Sequence, residues 1–253
     1  MGLVRPHVPQ LKVEQLLDAK VSWIAKVIND WFAERGFSIK LTDQGDPNTF
    51  YAGSIYEQLI HWLVPGERWQ LQGRNGQTYP DSVMMENGIA FWQSSMFSEV
   101  VASIKTRVDE DIAYMVMLDN PSTEPFGLLQ FAQRIEQSLN PADGFGELQF
   151  PMVHIDHETD VSWLVNLWTR RDSGQKAWVR EAKQQSILKI NEKGALAKSG
   201  FGMSVSLEML VFQRKPLIID RPFLFWISRK GYPLPLFSAW VDYTEWKDPG
   251  DLE

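Results

Sequence analysis

The run His154-Ile155-Asp156-His157-Glu158 gathers the side chains that most often hold a metal ion. Such a site needs three or four ligands converging on one point. On a strand, His154, Asp156 and Glu158 share one face and His157 points to the other. A polar strand end reaching solvent fits that alternation better than a metal centre, so no metal and no cofactor are expected. Nucleophile signals are weaker still. Gly202-Met203-Ser204-Val205-Ser206 is not the Gly-x-Ser-x-Gly turn that lifts a catalytic serine above a sheet. Ala197-Lys198-Ser199-Gly200 lacks the spaced first glycine of a phosphate-cradling loop. The chain has no cysteine, which excludes disulfides, thiolate nucleophiles and thiolate metal sites. Asp109-Glu110-Asp111 reads as a solvated turn, and Asp248–Glu253 as a frayed acidic end. No catalytic residue is identified, and the expectation is a protein that is not an enzyme.

Charge narrows the partners. A net charge of −7 over 253 residues leaves no surplus of Lys and Arg for nucleic acid. No segment approaches the roughly 18 consecutive apolar residues of a membrane helix, so no membrane partner is expected either. Residues 1–10 show no secretory signal, which makes a cytoplasmic location the expectation and secretion the alternative. With 44% hydrophobic residues the chain can bury a sizeable core, read as one domain over 10–253.

The elements follow from periodicity. Val13, Leu16, Leu17, Ile24, Ile28, Trp31 and Phe32 recur at helical spacing and predict one amphipathic helix over 11–36, stopped by Gly36. Residues 54–64 are apolar and fit helix or strand. Asn75-Gly76 predicts a hairpin. Strand patterns dominate from Asp81, interrupted by a helix over 126–139 and a helical turn over 161–168. Phe223–Ser228 is a near-continuous apolar run, as a strand covered on both faces would be. A helix followed by many strands with few helices between them gives an α+β class.

Residues 187–202, ILKINEKGALAKSGFG, begin as a strand and then neither turn cleanly nor start a helix. After Glu192-Lys193-Gly194 come the small residues Ala195, Ala197, Ser199, Gly200 and Gly202. Some twenty residues later stands IIDRPFLFWISRKGYPLPLFSAWVDYTEWKDP. In this order the segments resemble the C-terminal third of the serpins. The matching residues are Asn191, Glu192, Gly194, Ala195, Ala197, Arg221, Pro222, Phe223, Phe225, Ile227, Leu236 and Phe237. The likeness extends more weakly upstream to about residue 81. Serpins are substantially longer than this chain, and the difference falls in the family's N-terminal helices.

The resemblance implies a serpin-like fold with multi-stranded sheets and an exposed reactive-type loop. It implies a hinge at Glu192, Gly194, Ala195, Ala197 and Ser199 that can enter the main sheet as an added strand. It implies a suicide-substrate inhibitor of a serine-type endopeptidase, with the scissile bond among Glu208, Met209, Leu210 and Val211. Counting from Glu192 favours Glu208-Met209, and counting back from Pro222 favours Val211-Phe212. Met, Leu or Val as bait suits a chymotrypsin- or elastase-like serine protease better than a trypsin-like one. In the alternation from Ala195, Ala197 and Ser199 are small enough to slip between packed strands, and Lys198 faces out. Phe201 is large for that set, and Gly200 and Gly202 weaken a strand. The alternative is a non-inhibitory binding or scaffold protein on the same fold.

Overall fold

The computed structural model describes residues 17–56, 60–124, 126–170, 174, 176–195 and 215–252. The first strands are β1 (Leu17–Ser22), β2 (Tyr51–Tyr56), β3 (Ile60–His61), β4 (Glu67–Gln72), β5 (Thr78–Met85), β6 (Ile89–Ser94), β7 (Val100–Lys105) and β8 (Asp111–Met117). Next come β9 (Leu139–Pro141), β10 (Phe145–Pro151), β11 (Val153–Thr159), β12 (Trp168–Arg170), β13 (Lys176–Trp178) and β14 (Gln184–Ile190). The chain closes with β15 (Gly194–Ala195), β16 (Lys215–Ile218), β17 (Phe223–Arg229) and β18 (Phe237–Val241). The helices are α1 (Ala25–Glu34) and α2 (Gly127–Glu136). The chain divides into two compact units, one drawing on residues 1–58 and 156–187 and the other on 59–155 and 188–253.

In the second unit a six-stranded sheet runs β18-β17-β8-β7-β6-β9, antiparallel throughout. A four-stranded sheet runs β16-β10-β5-β4, with β16 parallel to β10. Phe223, Phe225 and Ile227 of β17 pack with Met115 of β8, Val83 of β5, and Leu148 and Phe150 of β10, so this core joins the two sheets. Leu224 and Trp226 point to the other face, where Tyr114, Val116 and the α2 residues Ala132 and Ile135 meet them. The strand is buried on both sides, and the unbroken apolar run is the consequence. The Asn-Gly hairpin also stands as expected: Gly76 takes φ +77° between β4 and β5.

The first unit departs from the single helix expected over 11–36. Leu17–Ser22 is a strand paired antiparallel with β2, and the helix begins only at Ala25. A ladder to Tyr51–Tyr56 outweighs the helical spacing, and Ser22 Oγ takes the Ile24 N–H at 3.0 Å where the chain turns. Residues 11–16 lie outside the described set. Helix α1 buries Ile28, Trp31 and Phe32 against Tyr51 and Ile55, and Gly36 ends it at φ +82°. Residues 54–64 resolve as strand wherever they are described as a regular element. The helical turn expected over 161–168 shrinks to a 3-10 turn at Ser162–Leu164, and Trp168 already begins β12.

The acidic run at 109–111 is also only partly a solvated turn. Asp111 opens β8 buried at 3% exposure, held by a two-pronged ion pair to Arg229 in register across β17. Asp109 and Glu110 remain exposed.

Candidate functional site

The hinge expected at Glu192–Ser199 leaves the end of β14. Asn191 is 2% exposed and organises the turn beyond it. Its N–H donates to the Gly194 carbonyl at 3.0 Å, and its Oδ1 takes the Lys193 N–H at 2.9 Å. Its Nδ2 donates to the Gly250 carbonyl at 3.3 Å. Three successive carbonyls are then taken from outside the turn. Asn191 O accepts Trp62 Nε1 at 3.1 Å, Glu192 O accepts the Gly66 N–H at 2.8 Å, and Lys193 O accepts the Trp62 N–H at 3.3 Å. A buried backbone carbonyl without a partner would be costly, so these bonds fix the path of the chain.

Gly194 is the one residue type this path admits. Its φ is +149°, and a Cβ there would lie 2.3 Å from the Ile60 carbonyl oxygen and 2.9 Å from the His61 Cα. The close approach lets β15 pair with β3, Gly194 opposite His61 and Ala195 opposite Ile60. Ala195 is described through its backbone. Ala197, Ser199 and the scissile candidates Glu208, Met209, Leu210 and Val211 lie outside the described residues.

Charge braces the same turn. Arg68 Nε stands 3.5 Å from Glu192 Oε2 in an ion pair, while its NH1 donates to Asp248 at 2.8 Å. Burial pushes the Asp248 carboxyl up, but the Gly250 N–H and the Arg68 guanidinium outweigh it and hold it below the usual range. The acidic end expected to fray is therefore part of the clamp at Asp248, and Leu252 beyond it is buried.

His61 sits opposite Gly194 with its Nδ1 buried and without a hydrogen bond among the described residues. Burial first, and then the Arg107 charge, lower its pKa below the ordinary 6.5. The folded chain therefore binds this proton less readily than the unfolded one. The stability that neutral His61 allows is present above about pH 6.5 and is lost as pH falls through its lowered value. Melting of the parent chain is expected to fall on acidification from about pH 8 to about pH 5, and His61→Gln to flatten that slope. Parallel slopes would remove His61 as the titrating group.

The far end of the 196–214 segment is fastened equally firmly. The Lys215 N–H donates to the Gly144 carbonyl at 3.0 Å, and β16 then runs beside β10. Arg221 pairs with Glu99 at 2.7 Å and with Asp119, and Pro222 O accepts the Leu118 N–H at 2.8 Å. Residues 191–195 and 215–222, on either side of 196–214, are thus each fixed by hydrogen bonds to other strands and turns. No group of three His, Asp or Glu that could hold a metal gathers among the described residues. On β11, Asp156 instead accepts Gln185 Nε2 at 2.5 Å.

Of the hinge residues expected from the sequence, Glu192, Gly194 and Ala195 lie in this turn, while Trp62, His61, Arg68 and Asp248, which surround it, were not expected there. Only the buried Trp62 had any signal, as an aromatic residue in a short apolar run. Its link to Asn191, far along the chain, is a tertiary fact.

No family model matches the sequence, and no curated protein matches it. Solved structures do. A serpin from Schistosoma mansoni matches with a TM-score of 0.59 at 15% identity, over 86% of this chain and 63% of its own. A serpin of the insect Tenebrio molitor, described as highly specific, matches with a TM-score of 0.52 at 18% identity, over 86% of this chain and 64% of its own. Thyroxine-binding globulin in complex with thyroxine matches with a TM-score of 0.52 at 14% identity, over 86% and 63%. The fold is serpin-like and α+β, as the sequence resemblance implies. The chain spans slightly less than two thirds of the length of these structures.

Proposed function

On a serpin-like fold, we propose that this chain is a serine-type endopeptidase inhibitor, not a catalyst, that offers a scissile bond among Glu208, Met209, Leu210 and Val211 to a serine protease as bait. The observation that carries the reading is the clamped turn at Asn191–Ala195 at the end of β14. Among the described residues β14 forms a ladder with β11 alone, so its other edge can accept a strand. A segment launched from that end, with small Ala195, Ala197 and Ser199 in alternation, is suited to strand addition after cleavage. With Met209, Leu210 or Val211 as the bait residue, a chymotrypsin- or elastase-like pocket is favoured.

A second reading is a non-inhibitory binding protein, favoured by Phe201, whose insertion into a packed core would cost about 1–3 kcal/mol. Thyroxine-binding globulin, matched with its thyroxine, is consistent with a binding role on this fold. Incubation with a chymotrypsin-like protease tests both. The inhibitor gives a covalent complex that survives denaturing electrophoresis, lost in Ala195→Arg with the melting temperature unchanged. Cleavage of the parent with no trapped complex overturns the inhibitor reading in favour of the binding protein.

A further inference from the structure

The hairpin of β12 and β13 presents a face that the protease reading does not use. Trp168 pairs across the ladder with Trp178, and Arg170 with Lys176. Residues two apart on a strand share a face, so all four side chains project from the same side of the ribbon. Trp168 and Trp178 are 52% and 54% exposed, and Arg170 and Lys176 are exposed beside them. The Lys176 ammonium lies 4.5 Å from the Trp168 ring and 5.5 Å from the Trp178 ring, which holds the two indoles together with the cation between them. Neither Arg170 nor Lys176 has a carboxylate partner among the described residues.

As a surface designed only for water, this is a poor choice. Like charges directly opposite on a ribbon repel, and two half-exposed indoles leave apolar area wet. Of the other described cations nearby, Arg180 pairs with Asp46 at 3.7 Å and Lys183 with Glu181 at 3.5 Å, which leaves Arg170 and Lys176 as the charge this face offers a partner. Indole beside cation is the composition that settles at a lipid headgroup boundary: the ring enters the interfacial zone and the cation meets phosphate. Anionic lipid adds attraction of about fivefold in affinity for each Lys or Arg at the surface.

We propose that the Trp168–Trp178, Arg170–Lys176 face of this hairpin docks on anionic phospholipid membranes. The docking is peripheral: no helix among the described residues is long and apolar enough to cross a membrane. The proposal departs from the expectation of no membrane partner, which rests on the lack of a spanning segment.

Vesicle flotation of the full chain tests it, with phosphatidylcholine vesicles alone and with phosphatidylserine added. Binding is expected to the serine-containing vesicles only, with a blue shift in tryptophan emission and weakening by added salt. Arg170→Gln with Lys176→Gln is expected to reduce affinity about thirtyfold. Trp168→Ala with Trp178→Ala is expected to abolish the emission shift, with both variants melting like the parent. No binding to anionic vesicles, equal binding to both vesicle types, or binding untouched in both variants each overturns the proposal. Capture by a sulfated glycan without vesicle binding would overturn it in favour of a polyanion partner.

Discussion

Asp111→Ala is expected to lower stability by about 3–5 kcal/mol, measured by denaturant unfolding. The carboxylate is almost wholly buried, with Arg229 Nε at 2.6 Å from Oδ1 and NH2 at 2.7 Å from Oδ2. The pair ties the first residue of β8 to the last residue of β17. The Lys230 N–H closes the same corner on the Glu110 carbonyl at 2.7 Å. Removing the acid strands a largely buried guanidinium without its carboxylate. Removing the base, as in Arg229→Met, leaves a buried carboxylate without its two-pronged partner and should cost a similar amount. The two losses should not add. Asp111→Ala with Arg229→Met removes both charges together and should recover about 1–3 kcal/mol of the summed cost. Strict additivity would mean that the pair is not coupled and that the ladder alone holds this corner.

The contrast between Asp111 and Phe225 shows what the sequence could carry. Phe225 stands in a run whose composition already declares burial on two faces, and the structure supplies both. Composition and period suffice where one element decides its own environment. Asp111 stands in an acidic run that looks like solvent, because nothing local announces an arginine more than a hundred residues away. The same limit explains α1. Ile28, Trp31 and Phe32 mark a helix face correctly, but Leu17–Ser22 has a strand partner that only folding brings beside it. At the candidate site, the order Glu192-Lys193-Gly194-Ala195 was legible through resemblance. The clamp around it, made by Trp62, Gly66, Arg68 and Gly250, was not, since its donors and acceptors come from separate stretches of chain.

Gly194→Ala tests that clamp directly and is expected to destabilise the chain by about 3 kcal/mol or more. Two costs combine. A φ of +149° is a conformation that a side chain opposes, at about 1–3 kcal/mol. The new methyl must also push the Ile60 carbonyl and the His61 Cα away, and both are backbone, so no rotamer can relieve the contact. The shift should break the Gly194–His61 register and slacken the Trp62 bonds beneath it. Gly231→Ala separates the two costs. Gly231 has φ +90° but open space around its Cβ position, so it should lose only the conformational part. The melting temperature of Gly194→Ala should fall by roughly 6–12 °C and that of Gly231→Ala by clearly less. Equal falls would mean that the contact with β3 costs nothing and that the turn can shift. The segment after Ala195 would then start from a movable base, and the strand addition proposed beside β14 would lose its fixed register.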